Sequence, residues 1–368
     1  MTDADAVAAL ARDLVRIDSR SSLSNLPVAE RLEAELAGFE IERLDYADAA
    51  GTAKRVLVAH RGPLDGGGLA LSGHMDTVPD TGWTEDPWSG RVDEAGILHG
   101  LGSSDMKGPV AAIVVAARGL PADVPVTLLL TTDEETTKQG ARLVAQRSEL
   151  ARRAAPRGIV VAEPTSLIPV RGHRANVMFT VTATGIQAHS SGAQGVNANW
   201  ALIPFLAEMR EVFAWLRSDP ALQDPAYDPS FSDFNLLIDN HGTAVNVTVP
   251  RATARIKFRY SRSIDPAPVV AAVRAAAERA GLALEMQADP GAPELPEDHP
   301  LVALAVRETG QAPRTAAYGT DATELQALAP CVVLGPGTIA VAHSPGEHVP
   351  LAELARAVPL FRHLVMAG

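Results

Sequence analysis

The chain has 368 residues and a formal net charge of −12, with 46% hydrophobic and 21% charged residues. That length bears a large core and predicts two domains, and the hydrophobic share excludes a disordered chain. The negative balance argues against nucleic acid as a partner, because phosphate binding needs a basic surface; a small anionic substrate stays open, since one site can oppose the global charge.

The single cysteine, Cys331, excludes an intramolecular disulfide. Its apolar setting, "PCVVLGPG", reads as a buried thiol rather than a nucleophile. The start, "MTDADAVAALARDLVRID", carries acids where a secretory signal carries Lys or Arg, and it has no compact apolar core. No uninterrupted apolar run approaches the roughly 18–20 residues of a membrane span. A soluble cytoplasmic protein with no membrane partner is the expectation.

From about Asp3 to Ile17, apolar positions recur at helical spacing (Val7, Leu10, Leu14, Ile17) behind a cap at Thr2 or Asp3. A second amphipathic segment runs from about Pro27 to Ala37. Strand-like runs follow in "RVLVAH", "GLALSGH", "VPVTLLLTT" and "RGIVVAE", with a helical "GPVAAIVVAARGL" among them. This alternation predicts an α/β fold with a mostly parallel mixed sheet flanked by helices. Near residue 175 the texture changes. "NVMFTVTATG" and "TARIKFRYSRS" alternate like half-exposed antiparallel strands, with helices expected at about Asn197–Arg217 and Pro266–Ala280. An inserted α+β lid of residues 175–288 is the expectation, with 1–174 and 289–368 forming the main domain and "ADPGAPELPEDHP" as the linker back.

In open α/β sheets, ligands gather at the carboxyl ends of the strands. Three predicted strands end in His74, in Asp133–Glu135 and in Glu163. Adjacent like charges at the end of a buried strand are costly without a cation nearby. His74 and Asp76 form a His-x-Asp pair in which Asp76 is placed to orient the imidazole; a surface His beside a turn Asp is the competing reading. Asp105 follows the Gly-rich "HGLGSS" and precedes a helix, so a helix N-cap is its alternative. The Gly-x-Gly there is no dinucleotide fingerprint, because the third glycine is misplaced and no strand leads into it. His343 lies in the loop "GPGTIAVAHSPGEHV". Two histidines, at least three carboxylates and no thiolate set suit two divalent ions bridged by one carboxylate, most often zinc, with cobalt or manganese as substitutes. Such a site also needs one unligated carboxylate as general base.

Together, "SGHMDTVP", "GLGSSDMKG", "TTDEET", "AEPTS" and "AHSPGEHV" resemble, in order along nearly the whole chain, the dinuclear zinc aminoacylase and carboxypeptidase-type metallohydrolases. The resemblance implies His74 and Glu163 on one zinc, Glu135 and His343 on the other, and Asp105 bridging. It also implies Glu134 as general base and Asp76 as the group holding His74. The implied plan is a metal domain with an inserted lid, a four-stranded antiparallel sheet with two helices, hinged near residues 172–175 and 285–295. Dimerisation through that lid is implied as well.

Within the family, "AEPTSLIPVRGH", "GIQAHSSGAQGVNA" and "YGTDATELQ" resemble the acetylornithine deacetylase branch, whereas related desuccinylases carry a Gly-Gly-Thr-Ser-type loop at the third of these. By that likeness His189 polarises the scissile carbonyl, and Asn246 and Arg259 grip the substrate carboxylate, to which a planar guanidinium is suited. A turn His and a solvent-exposed strand Arg are the competing readings. The chain departs from the branch at Arg174–Ala175, at "NVTVP" and at "SPGEHV"; these touch no implied ligand and bear on the acyl group and the amino-acid side chain. The expected reaction is hydrolysis of an N-acyl amino acid such as N-acetylornithine by a metal-activated water, a step of arginine biosynthesis. A dipeptidase, carboxypeptidase or N-succinyl amino acid desuccinylase is the alternative, and a non-catalytic metal-binding protein the third reading.

Overall fold

The computed structural model describes residues 2–64 and 67–368. The chain divides into two compact units, Met1–Gly172 with Glu294–Arg314 and Thr320–Gly368, and His173–Pro293 with Thr315–Gly319. The short piece Thr315–Gly319 joins the second unit, where sequence placed it in the first. The Thr315 hydroxyl donates to the Ala226 carbonyl, a tie no local pattern announces.

The first unit is built on a mixed sheet whose order runs Glu40–Ala47, Ala53–Arg61, Val126–Thr131, Leu69–His74, Gly158–Val161, Cys331–Val333, Val170–His173 and Arg314–Ala316. Its four central strands, from Val126–Thr131 to Cys331–Val333, pair in parallel, and antiparallel pairs flank them. These central strands are buried on both faces, which is why they read as continuous apolar runs without alternation. The helix Lys107–Arg118 is buried from Lys107 to Ala117. It lies so close to the sheet that a Cβ on Gly73 would stand 2.7 Å from Val110 Cγ2. Helices Asp3–Val15 and Leu351–Ala367 pack on it and complete the core. Thr2 caps the first of these: its hydroxyl accepts from Asp5 N–H, while Asp5 accepts from Thr2 N–H.

The second unit is a four-stranded antiparallel sheet, in the order Asp233–Asp239, Arg251–Tyr260, Ala175–Thr184 and Ala283–Ala288, with helices Asn199–Ser218 and Ala267–Arg279 packed on it. Ala175, Val177, Phe179, Val181 and Ala183 alternate inward from one central strand toward these helices. Among the described residues no helix is long and apolar enough to cross a membrane.

Candidate metal centre

Parallel register brings the donors together. His74 is the last residue of its strand and pairs with Thr131, so the acidic turn 133–135 starts beside it. On the other flank Ser72 pairs with Val161, which carries Glu163 to the same level. Asp105 comes from the Gly-rich segment before the buried helix. Its competing role as a helix cap is not realised: Met106 occupies the cap position, and the Asp105 side chain turns to the two histidines.

The Asp105 carboxylate divides between two imidazoles. Its Oδ1 stands 3.1 Å from His74 Nε2 and its Oδ2 3.3 Å from His343 Nε2. Glu163 lies 3.7 Å from the same nitrogen of His74, and Glu135 lies 3.0 Å from His343 Nε2. Donor atoms of His74, Glu134 and Glu163, and of His74, Asp105 and Glu135, fall within 4.8 Å of one another. His74, Asp105 and Glu163 are buried, whereas the His343 side chain is half exposed on a loop where its φ is +58°.

Electrostatics mark the same cluster. Burial opposes a charged His74, yet Asp105, Glu163 and Asp76 outweigh it and raise its pKa well above the usual value. His343, hydrogen-bonded to Asp105 and Glu135, is pushed up to about 10. Burial also pushes Glu134, Glu135 and Glu163 up, and the neighbouring acids add to the rise. Carboxylates crowded at low dielectric hold their charge cheaply only beside cations. Mixed imidazole and carboxylate donors with one carboxylate shared between two imidazoles fit a pair of divalent ions.

Asp76 holds His74 by a route that differs in detail from the expected one. His74 Nδ1 lies 3.0 Å from the Asp76 backbone carbonyl and 3.6 Å from its carboxylate. That carboxylate instead accepts from the Ser21 hydroxyl at 2.7 Å and from the N–H groups of Glu134 and Glu135 at 3.3 and 3.4 Å. It therefore orients the acidic turn as well as the imidazole. Asp133 points away from the metal donors, toward Tyr46 and Lys54.

Two supporting acids escaped the sequence reading. Glu347 Oε1 accepts the backbone N–H groups of Ser104 and Asp105, both at 2.9 Å, which pins the loop carrying Asp105. Burial pushes the Glu347 carboxyl up to about 8. Its only advance signal is an acid inside the Pro-Gly turn after His343. Asp321, from "YGTDAT", is buried and accepts from the hydroxyl of Thr131, the residue paired with His74. Nothing in its local spacing distinguishes it from a helix-capping acid.

In the second unit, His189 and Asn246 are neighbours: His189 bridges to Val247, and Ser190 N–H donates to the Asn246 carbonyl at 3.0 Å. Both are exposed. His189 Nδ1 accepts from Ser191 N–H at 3.2 Å, which leaves Nε2 as the nitrogen that can donate. Arg259 lies apart from them, opposite Asp233 and Asn176 on its neighbouring strands, and forms an ion pair with Asp233 through one guanidinium nitrogen.

The chain is 33% identical over 369 residues to an acetylornithine deacetylase of Myxococcus xanthus, covering 95% of this chain and 94% of that one. An acetylornithine deacetylase of Proteus mirabilis is 32% identical over 354 residues, with 91% and 88% covered. In fold it matches the di-peptidase Dug1p of Saccharomyces cerevisiae with a TM-score of 0.78 at 15% identity, over 99% of this chain and 96% of that one. The model of peptidase family M20/M25/M40 matches residues 70–367. With that match and with donors for a pair of divalent metals at the strand ends, the chain belongs to peptidase family M20/M25/M40 and is a metal-dependent amide-bond hydrolase.

Proposed function

We propose that this hydrolase removes an acyl group, acetyl first among them, from an N-acyl amino acid such as N-acetylornithine. The observation that carries the hydrolytic reading is Asp105 shared between His74 and His343, with Glu134 close to His74 and Glu163. The preference for an acetylated substrate rests on the deacetylase relatives, which match across almost the whole chain. His74, Glu163, Asp105, Glu135 and His343 are the proposed ligands, and zinc is the proposed metal. Bound there, two divalent cations supply the positive charge that makes water nucleophilic near neutral pH and polarises a carbonyl.

The chain's own residues do the rest. Glu134, raised by burial and by Glu135 and Asp321, takes a proton from water and returns it to the departing nitrogen. His189 donates a hydrogen bond from Nε2 to the carbonyl oxygen as negative charge develops there. Arg259 receives the substrate carboxylate through guanidinium nitrogens that Asp233 leaves over, and Asn246, set a strand length from Arg259 within one chain, joins it from the second copy of the proposed dimer. A cytoplasmic setting, a place in arginine biosynthesis and a dimer formed through the second unit belong to the same proposal.

A panel of N-acetyl, N-succinyl and dipeptide substrates, assayed with zinc, cobalt and manganese, tests it. N-acetylornithine is expected to give the highest kcat/KM; a dipeptide or succinyl substrate turned over faster would overturn the assignment.

A further inference from the structure

Asp133 heads the acidic turn without facing the metal donors. Its φ is +61°, and its carbonyl accepts the N–H groups of Thr136, Thr137 and Lys138 at 3.3, 3.0 and 2.6 Å, so it is the pivot of the turn. Its side chain is buried and held from two sides. Tyr46 donates its hydroxyl to Oδ2 at 2.7 Å, and Lys54 Nζ stands 3.0 Å from Oδ1. Tyr46 and Lys54 face each other directly across the antiparallel pair Glu40–Ala47 and Ala53–Arg61.

Lys54 is 1% exposed, a rare burial for an ammonium and a costly one unless every proton is placed. Besides the ion pair with Asp133, Nζ donates to the carbonyls of Ser21 and Leu23, at 2.6 and 2.8 Å. The Ser21 hydroxyl in turn donates to Asp76, and Asp76 accepts the N–H groups of Glu134 and Glu135. The contacts form a closed ring. One ammonium reaches the turn directly through Asp133, and reaches the next two residues through Ser21 and Asp76.

We propose that Lys54 and Tyr46 are positioning residues that lock the acidic turn at both ends and so present Glu134 and Glu135 in a single arrangement. The inference rests on the reading of Glu134 as base and Glu135 as ligand. Neutralising a buried Asp133 would need only the ammonium; the second grip by Tyr46 and the separate tether to Ser21 are what a positioning role adds.

Two variants test it. Tyr46→Phe removes one hydroxyl and keeps the ion pair. Lys54→Met/Asp133→Asn removes both charges together and keeps a residue that tolerates the left-handed conformation. A misplaced reacting group costs on the order of 10²-fold, the loss in kcat expected of the double variant at nearly unchanged KM. Tyr46→Phe is expected to lose about tenfold, the worth of one hydrogen bond. The cobalt-loaded protein is expected to show a changed visible absorption spectrum in both, at unchanged metal stoichiometry. Wild-type kcat and an unaltered cobalt spectrum in a folded double variant would overturn the proposal, as would a lower Tm alone in Tyr46→Phe. If the double variant does not fold, Tyr46→Phe decides. Should Glu134→Gln keep full activity, the underlying assignment of the base fails instead, while the cobalt spectrum still reports on the turn.

Discussion

The two units treat their functional side chains in opposite ways. In the first, His74 and Glu163 are buried at strand ends, and Asp105 is buried in the segment before the helix Lys107–Arg118. In the second, His189 and Asn246 stand exposed on adjoining turns, with little beyond Ser190, Ser191 and Val247 to hold them. Donors for a cation must be pre-set, because crowded carboxylates pay for their desolvation whether or not the cation is there. A group that meets the substrate gains its partner only on binding and has to stay reachable until then. His343 lies between the two cases, a donor on a loop with half its side chain in water.

The contrast predicts how each part fails. The largest effect is expected from Glu134→Gln, which keeps the shape of the acidic turn and removes the proposed base; kcat should fall about 10²–10⁴-fold. Metal content measured by elemental analysis should not change, and a loss of metal along with activity would mean that Glu134 is a ligand after all. His189→Ala comes next, with a kcat loss of about 10²–10³-fold if its Nε2 proton serves the developing oxyanion. Its melting temperature should stay at the wild-type value, since the ring is exposed; a large drop would return His189 to a structural role.

A smaller effect probes the second unit's own buried acid. Burial raises the Asp224 pKa, but hydrogen bonds from Ser261 and Ser263, with others, bring it below the usual carboxylate value. A depressed folded-state pKa means stability that is present above the unfolded value of roughly 3.9 and is lost as pH falls through the lower, folded one. Asp224→Asn should therefore lower Tm most at neutral pH and progressively less as pH falls through the folded value, which flattens the acid limb of the Tm-against-pH curve. An unchanged acid limb would show that Asp224 carries no pH-linked stability.

How much of this was legible in advance follows from the range of each interaction. The central strands announced themselves because burial on both faces leaves an unbroken apolar run, and their ends pointed to His74, Glu135 and Glu163. The two inner strands of the second sheet were readable from alternation. Its outer strand Asp233–Asp239 was not: Leu236, Leu237 and Ile238 run together and are all exposed, so no period marks a face. Lys54 and Glu347 were invisible for another reason. Each acts on residues far away in sequence, Lys54 on Asp133 and Glu347 on Ser104, and only tertiary contact reveals them. Asp76 shows the limit inside a motif: the pair with His74 was readable, but its carbonyl rather than its carboxylate makes the shorter contact.

The shared carboxylate of Asp105 has a consequence for how the protein is made. Of its two imidazole partners, His74 emerges early in synthesis, while His343 follows only after the whole inserted unit has been translated. A nascent chain thus holds His74, Asp105, Glu135 and Glu163 for some time with one half of the site lacking its imidazole. On the proposed ligand set, a pair of ions would meet both imidazoles only once the residues through His343 have been made.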